Sequence, residues 1–212
     1  IFRRQATEAG YLYRSVPKIY GGSQQPVDVI KAQVIREEFS GVRAPMEVGG
    51  NGMNMLVPTL LEQGSEEQKE LFIRATLEGE YIWGQGYSEP GSGSDLASVR
   101  TKGELSGDGT QWIVNGQKIW TSQGRVATHM FLLVRTEPNA PKHDGITYLL
   151  MDLNQSGVTR RPIRQMTGAA ETGESRGARR LGDMLETALP LAAILLALWC
   201  APALNHRVKG GT

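Results

Sequence analysis

Residues 1–25 carry few apolar positions at helical spacing, and Pro17 and the pair Gly21-Gly22 punctuate the stretch as loop. The pattern changes at Pro26. Val27, Ile30 and Val34 recur at i, i+3 and i+7, Pro26 suits a first turn and Gly41 follows. A helix is therefore predicted over 26–39, with those three side chains on its apolar face. Gly49–Met55 is rich in Gly, Asn and Met. The apolar run Met55–Gln63 is predicted helical, with Pro58 near its start and Gly64 at its end. Ser65, followed three residues later by Gln68, forms a capping box. It opens a helix whose apolar face is Leu71, Phe72 and Ala75 and which Gly79 closes.

After residue 80 the period shortens to two. Ile82–Tyr87 reads as a short strand, and Val99, Thr101, Gly103 and Leu105 alternate with charged residues. Ser106–Gly109 is a turn. Gln111–Val114 and Gln117–Thr121 flank Asn115-Gly116, a strong hairpin signal, so a second turn is expected there. Met130–Thr136, Ile146–Asp152 and Val158–Ile163 follow as strands. The fold class is α+β: a helical domain over 1–80, then an antiparallel β-barrel or sandwich over 81–171. The tail, 172–212, continues neither pattern. Within it Ala188–Leu204 is almost wholly apolar but contains Pro190. It falls short of the roughly 20 residues of a spanning helix. It reads as a buried or membrane-associated helix, a foreign or out-of-frame segment, or a linker; the abrupt change of composition favours the second.

Composition narrows the partners. The 212 residues carry 23 basic and 22 acidic side chains, a net charge of +1, which gives no reason to expect nucleic acid. The single cysteine, Cys200, permits no intrachain disulfide, and a cytoplasmic location is expected. No signal peptide is read at Ile1, and a missing N-terminus is the simplest account of a chain that does not begin with Met. No metal-ligand spacing stands out.

Two stretches carry chemistry. In Gln85-Gly86-Tyr87-Ser88-Glu89-Pro90-Gly91-Ser92-Gly93-Ser94-Asp95, a strand end runs into a loop of small residues. Such a loop lets backbone amides approach phosphate or the polar edge of a planar cofactor. The plainer reading is a surface turn. Gly91 and Gly93 lack the third glycine of a dinucleotide fingerprint, and no P-loop spacing occurs, which argues against those nucleotide folds. In Asn115–Ser122, Trp120 sits beside Thr121 and Ser122. The indole is a surface for a flavin or a base, or else a core side chain.

Taken together, Gly86–Ser98 and Asn115–Ser122 resemble the two signature elements of the acyl-CoA dehydrogenases. Pro17–Gly22, Pro58–Leu61 with Gly64–Lys69, and Gly157-Val158 with Arg161–Ile163 resemble further elements of that family, so the likeness covers residues 10–171. The resemblance implies FAD as cofactor, bound by Gln85, Gly86, Tyr87, Ser88, Gly93, Ser94, Trp120, Thr121 and Ser122. Ser88 corresponds to the residue at the flavin pyrimidine edge, Trp120 to the one packed on the isoalloxazine, and Ser122 to the hydroxyl near flavin N5. Ser94 also falls on the acyl-CoA side. Glu89 and Asp95 read as structural. The implied reaction is α,β-dehydrogenation of acyl-CoA to 2-enoyl-CoA, with electrons passed to an electron-transfer flavoprotein and with a homo- or hetero-oligomeric parent. The resemblance stops after Glu171. The family's C-terminal four-helix domain, with its catalytic glutamate, is expected to be absent, so no catalytic residue is assigned and the fragment alone is expected to be inactive. Glu171, Glu174 and Glu186 have nothing to place them as the base. An acyl-CoA oxidase or related flavin monooxygenase, and a non-catalytic membrane-associated protein, are the alternatives.

Overall fold

The computed structural model describes residues 1–164, 166 and 172–181. Among the described residues four α-helices come first: α1 (Phe2–Glu8), α2 (Val29–Gly41), α3 (Val57–Gln63) and α4 (Glu66–Glu78). A short 3-10 turn, Lys18–Tyr20, precedes α2, and a wider π-type turn, Gly52–Leu56, runs directly into α3. Seven strands follow within the described residues: β1 (Trp83–Gly86), β2 (Lys102–Leu105), β3 (Trp112–Ser122), β4 (His129–Arg135), β5 (Ile146–Asp152), β6 (Val158–Ile163) and β7 (Thr172–Leu181).

The capping box holds as read. Gln68 N–H donates to Ser65 Oγ at 3.3 Å, and Ser65 N–H donates to Gln68 Oε1 at 2.9 Å. Gly79 ends α4 in the left-handed region at φ 82°. The buried face of α4 is rotated from the expected one. Phe72, Ile73, Thr76 and Leu77 point inward, whereas Leu71 is exposed. Helix α2 begins later than predicted because Asp28 Oδ1 caps it, accepting from Lys31 N–H at 2.9 Å. Its predicted apolar face is also corrected. Val27, Ile30 and Val34 are exposed, and Ile35 is the buried residue, because the helix meets the fold through Ile35 and Phe39. Helix α1 was not anticipated; it buries only Ala6 and Thr7, too little to leave a periodic signal.

The strands form one seven-stranded sheet in the order β1-β4-β2-β3-β7-β6, with β5 paired to the other side of β4. The β2–β3, β3–β7, β4–β5 and β6–β7 pairings are antiparallel, as expected for most of the sheet. Strand β1 runs parallel to β4, and β2 touches β4 in parallel at Lys102 and Arg135, so the sheet is mixed. Strand β4 is central and buried on both faces. Phe131 and Leu133 pack with Tyr148 and Leu150 of β5 against Leu12, Leu56, Leu60, Ile73 and Trp83, so the helices and this sheet face share one core. Met130, Leu132 and Val134 point the other way, onto Trp112, Val114, Leu149 and Met151. The alternation that divides these two cores is the period of a strand.

Two expectations about the sheet are corrected. Asn115-Gly116 is not a turn: both residues lie inside the continuous strand β3, with Asn115 paired to Lys102 on one side and Ala178 on the other. The glycine serves a close approach instead, since a Cβ on Gly116 would lie 2.3 Å from Thr101 Oγ1. The β-domain also does not end at residue 171. Thr172–Leu181 is strand β7, inserted between β3 and β6. Its Gly, Ser and Arg composition masks a strand held by backbone pairing on both edges. Among the described residues no helix is long and apolar enough to cross a membrane, and the apolar run Ala188–Leu204 lies outside them.

Candidate functional site: two strand ends side by side

Strand β3 changes character near its C-terminal end. Trp112, Val114 and Lys118 point inward at even positions, with Gly116 between them facing Thr101. Continued alternation would bury Trp120 and expose Thr121. A bulge between Lys118 and Thr121 shifts the register against β7 and reverses this. Trp120 takes φ 59°, a left-handed conformation that is uncommon for a bulky side chain. As a result Thr121 is fully buried and Trp120 is 57% exposed. A one-residue shift moves every later side chain to the other face. Strained backbone of this kind concentrates at functional sites. Gln123, one residue past Ser122, also has φ 59°.

The end of β1 lies against this bulge. Ile119 N–H donates to the Ser88 carbonyl at 2.9 Å. Four residues earlier, a Cβ on Gly84 would sit 3.0 Å from Thr121 Cγ2 and 3.6 Å from Ser122 O. Gly84–Ser88 and Ile119–Ser122 therefore run antiparallel and adjacent. Ser88 and Ser122 are both partly exposed on segments flanking the exposed indole.

The loop after Ser88 is internally braced. Glu89 and Ser92 exchange backbone hydrogen bonds at 2.7 and 3.1 Å, and Ser92 Oγ donates to Asp95 O at 2.9 Å. Asp95 accepts from Ser98 Oγ and from Lys142 Nζ, the latter at 2.6 and 2.9 Å. These hydrogen bonds hold the Asp95 carboxyl below the usual carboxylate range, with Lys142 first and Ser98 second. Gly91 and Gly93 have open space where a side chain would be, and Ser94 is exposed.

Beneath the loop, Lys118 and Glu89 form a buried ion pair at 2.8 Å. Glu89 Oε2 also accepts from Arg100 N–H at 2.7 Å and Oε1 from Thr101 N–H at 2.9 Å. Burial pushes the Glu89 carboxyl up, but the Lys118 charge and the hydrogen bonds from Lys118, Thr101 and Arg100 together hold it below its ordinary value. Burial lowers Lys118, and Glu89 opposes that shift.

The nine expected cofactor residues thus divide. Ser88, Trp120 and Ser122 are brought together on adjoining strand ends. Gln85 is partly exposed on β1. Gly93 and Ser94 lie in the open loop. Three are packed inward. The ring of Tyr87 meets Phe131 edge-on at 5.7 Å, a Cβ on Gly86 would lie 2.6 Å from Met130 Sδ, and Thr121 is in the interior. The Lys118–Glu89 pair was not found from sequence, because no local pattern marks Lys118 as buried or names a partner 29 residues away. Glu174, on β7, pairs in register with Arg161 of β6, while Glu171 and Glu186 lie outside the described residues. Among the described residues no cluster of metal-binding side chains occurs.

Comparison with known proteins gives a consistent result. Residues 2–80 match the family model "acyl-CoA dehydrogenase, N-terminal domain", and residues 84–177 match "acyl-CoA dehydrogenase, middle domain". The latter match extends into β7. The acyl-CoA dehydrogenase IpdE1 of Mycobacterium tuberculosis is 40% identical over 173 residues, covering 82% of this chain and 44% of the relative. The ChsE4-ChsE5 complex of Mycobacterium tuberculosis superposes with a TM-score of 0.72 at 32% identity, over 96% of this chain and 51% of that one. A glutaryl-CoA dehydrogenase of Mycobacterium smegmatis, solved in complex with FADH2, gives a TM-score of 0.66 at 25% identity, over 94% of this chain and 50% of that one. The chain spans about half the length of the relatives it matches.

Proposed function

The chain belongs to the acyl-CoA dehydrogenase family, and from that premise we propose that it forms the N-terminal and middle part of an FAD-dependent enzyme. That enzyme converts acyl-CoA thioesters to 2-enoyl-CoA. The observation that carries the reading is the reversal of Trp120 at the β3 bulge. A large aromatic is turned out of a core it would otherwise fill, onto a surface flanked by the Ser88 and Ser122 segments. An exposed indole beside hydroxyls fits a planar, polar-edged ring, and the relative solved with FADH2 supports the same cofactor. Bound FAD would supply the two-electron acceptor for removing hydrogen from the Cα–Cβ bond.

In this reading Ser88 offers a hydroxyl to the polar edge of the ring, Trp120 covers one of its faces, and Ser122 offers a second hydroxyl beside it. The open loop at Gly93 and Ser94 leaves room for the CoA moiety. The catalytic base is placed on a C-terminal helical domain outside this chain, so the chain alone is inactive. The parent acts as a homo- or hetero-oligomer, in line with the relative solved as the ChsE4-ChsE5 complex, and passes electrons to an electron-transfer flavoprotein. The test is anaerobic addition of acyl-CoA thioesters of varied chain to the full-length protein. Bleaching of the flavin absorbance is expected. Absence of bleaching with every thioester would overturn the reading, and peroxide formed in air would convert it to that of an oxidase.

A further inference from the structure

We infer that the buried Lys118–Glu89 ion pair is a positioning device that fixes Ser88 against Trp120, an inference that rests on the flavin reading of that site. Three ties converge on Ser88 from two consecutive residues of β3. Lys118 Nζ donates to the carbonyl of Tyr87, immediately before Ser88, at 3.3 Å. The same ammonium donates to the carboxylate of Glu89, immediately after Ser88, at 2.8 Å. The amide of Ile119 donates to Ser88's own carbonyl at 2.9 Å. The next residue is Trp120.

The bulge makes these ties necessary. Past Lys118 the strand leaves its register with β7, and the pairing resumes only at Thr121. Ile119 and Trp120 therefore lack the ladder that holds the rest of β3. The contact to Ser88 takes its place, and Lys118, the last residue before the break, anchors both neighbours of Ser88. Glu89 completes the frame by accepting from the amides of Arg100 and Thr101, which fixes the far end of the loop. Both side chains are buried, so neither is available to touch a ligand. Well-packed apolar residues could fill the same space, but they could not supply directional hydrogen bonds to a carbonyl and two amides. The pair acts on the site through Ser88 and the bulge, as supporting residues do elsewhere.

The test uses the full-length protein purified with its flavin, comparing wild type with the neutral pair Lys118→Met/Glu89→Gln and with Lys118→Arg. The neutral pair avoids leaving one buried charge alone. Two quantities are read: the FAD dissociation constant, from quenching of flavin fluorescence, and the hydrogen-exchange protection of the Ile119 amide. The neutral pair is expected to bind FAD about ten-fold or more weakly, to broaden the flavin absorption band and to lose protection at Ile119 selectively, while amides of β4 and β5 stay protected. Lys118→Arg is expected to recover part of both signals. Unchanged FAD affinity and Ile119 protection in a folded neutral pair would overturn the positioning role. Should the neutral pair not fold, Lys118→Gln, which removes the ammonium that ties Tyr87 to Glu89, carries the decision by the same readings: a weakened site with β4 and β5 protected supports the role, and wild-type values reject it. If the wild-type protein holds no flavin, the flavin reading falls, and Ile119 protection alone still decides whether the pair orders the bulge.

Discussion

The amide of Ile119 meets the carbonyl of Ser88 at 2.9 Å, across the point where β3 breaks its register. This contact joins residues 31 positions apart in the sequence. It puts a strained tryptophan at the junction. The strain, the exposure and the neighbouring hydroxyls are one feature: the bulge that turns Trp120 outward also carries Ser122 onto the strand end beside β1.

The exposure of Trp120 makes its replacement cheap for stability, and the proposed function makes it costly for flavin binding. A non-glycine residue in the left-handed region is disfavoured by about 1–2 kcal/mol, and glycine removes that term. Greater unfolded-chain entropy returns about 0.5–1 kcal/mol against it. Trp120→Gly is therefore expected to stay within about 1 kcal/mol of wild type in urea denaturation while losing most of its flavin affinity. A loss near 3 kcal/mol would mean that the indole is a core side chain after all.

Gly116→Ala is expected to destabilise the chain by about 1–3 kcal/mol, because the new methyl would overlap Thr101. The atoms in the way are Thr101 Oγ1, Cβ and Cγ2, at 2.3 to 2.6 Å. Thr101→Gly in the same chain should therefore recover part of the loss, beyond additivity of the two single changes. Chemical denaturation of the four variants measures this coupling. Simple additivity would show that Gly116 is constrained by its backbone and not by its neighbour.

That glycine also shows what the sequence made legible and what it hid. Strand β5 and the Ser65 cap were readable because each is written locally, in a short apolar run or in a four-residue motif. The Asn115-Gly116 dipeptide looks the same whether it turns the chain or lets Thr101 approach, and only the partner strand decides. Strand β7 was hidden for a related reason: its stability lies in pairing on both edges, not in apolar alternation. The face of α2 was misassigned because Val27, Ile30 and Val34 have a helical period without meeting the core. At the candidate site, Trp120 and Ser122 were nominated through family resemblance. The bulge that exposes one and buries Thr121 has no local signature, and neither does the pairing of Lys118 with Glu89 across 29 residues.

Acid should weaken the fold through His129. Burial lowers its pKa from the ordinary value of 6.5, with Asp152 opposing, and the ring lies tilted against Tyr81 at 4.0 Å and Trp83 at 5.1 Å. The unfolded chain thus takes up a proton at a higher pH than the folded one. The stabilisation is complete above 6.5 and is lost as pH falls from there toward the folded value. Thermal melting between about pH 7 and pH 5 should show a steeper decline for wild type than for His129→Gln. Parallel curves would show that the ring titrates as it does in water.

A buried hydrogen bond adds to the apolar packing between helices and sheet. Trp83 Nε1–H donates to Thr76 Oγ1 at 2.8 Å, tying β1 to α4. Thr76 Oγ1 in turn donates to the Phe72 carbonyl at 2.7 Å. Thr76→Val removes the acceptor and leaves the indole N–H buried with no partner, at an expected cost of about 1–3 kcal/mol. In a Trp83→Phe background the donor is already gone, so Thr76→Val should cost about 1 kcal/mol less. Trp83 is 1% exposed and packs edge-on against Phe72 at 5.6 Å, so Trp83→Ala should cost about 3–5 kcal/mol. Equal costs for Thr76→Val in both backgrounds would show that the hydroxyl stabilises α4 through Phe72 alone and that the indole bond contributes nothing to joining helix and strand.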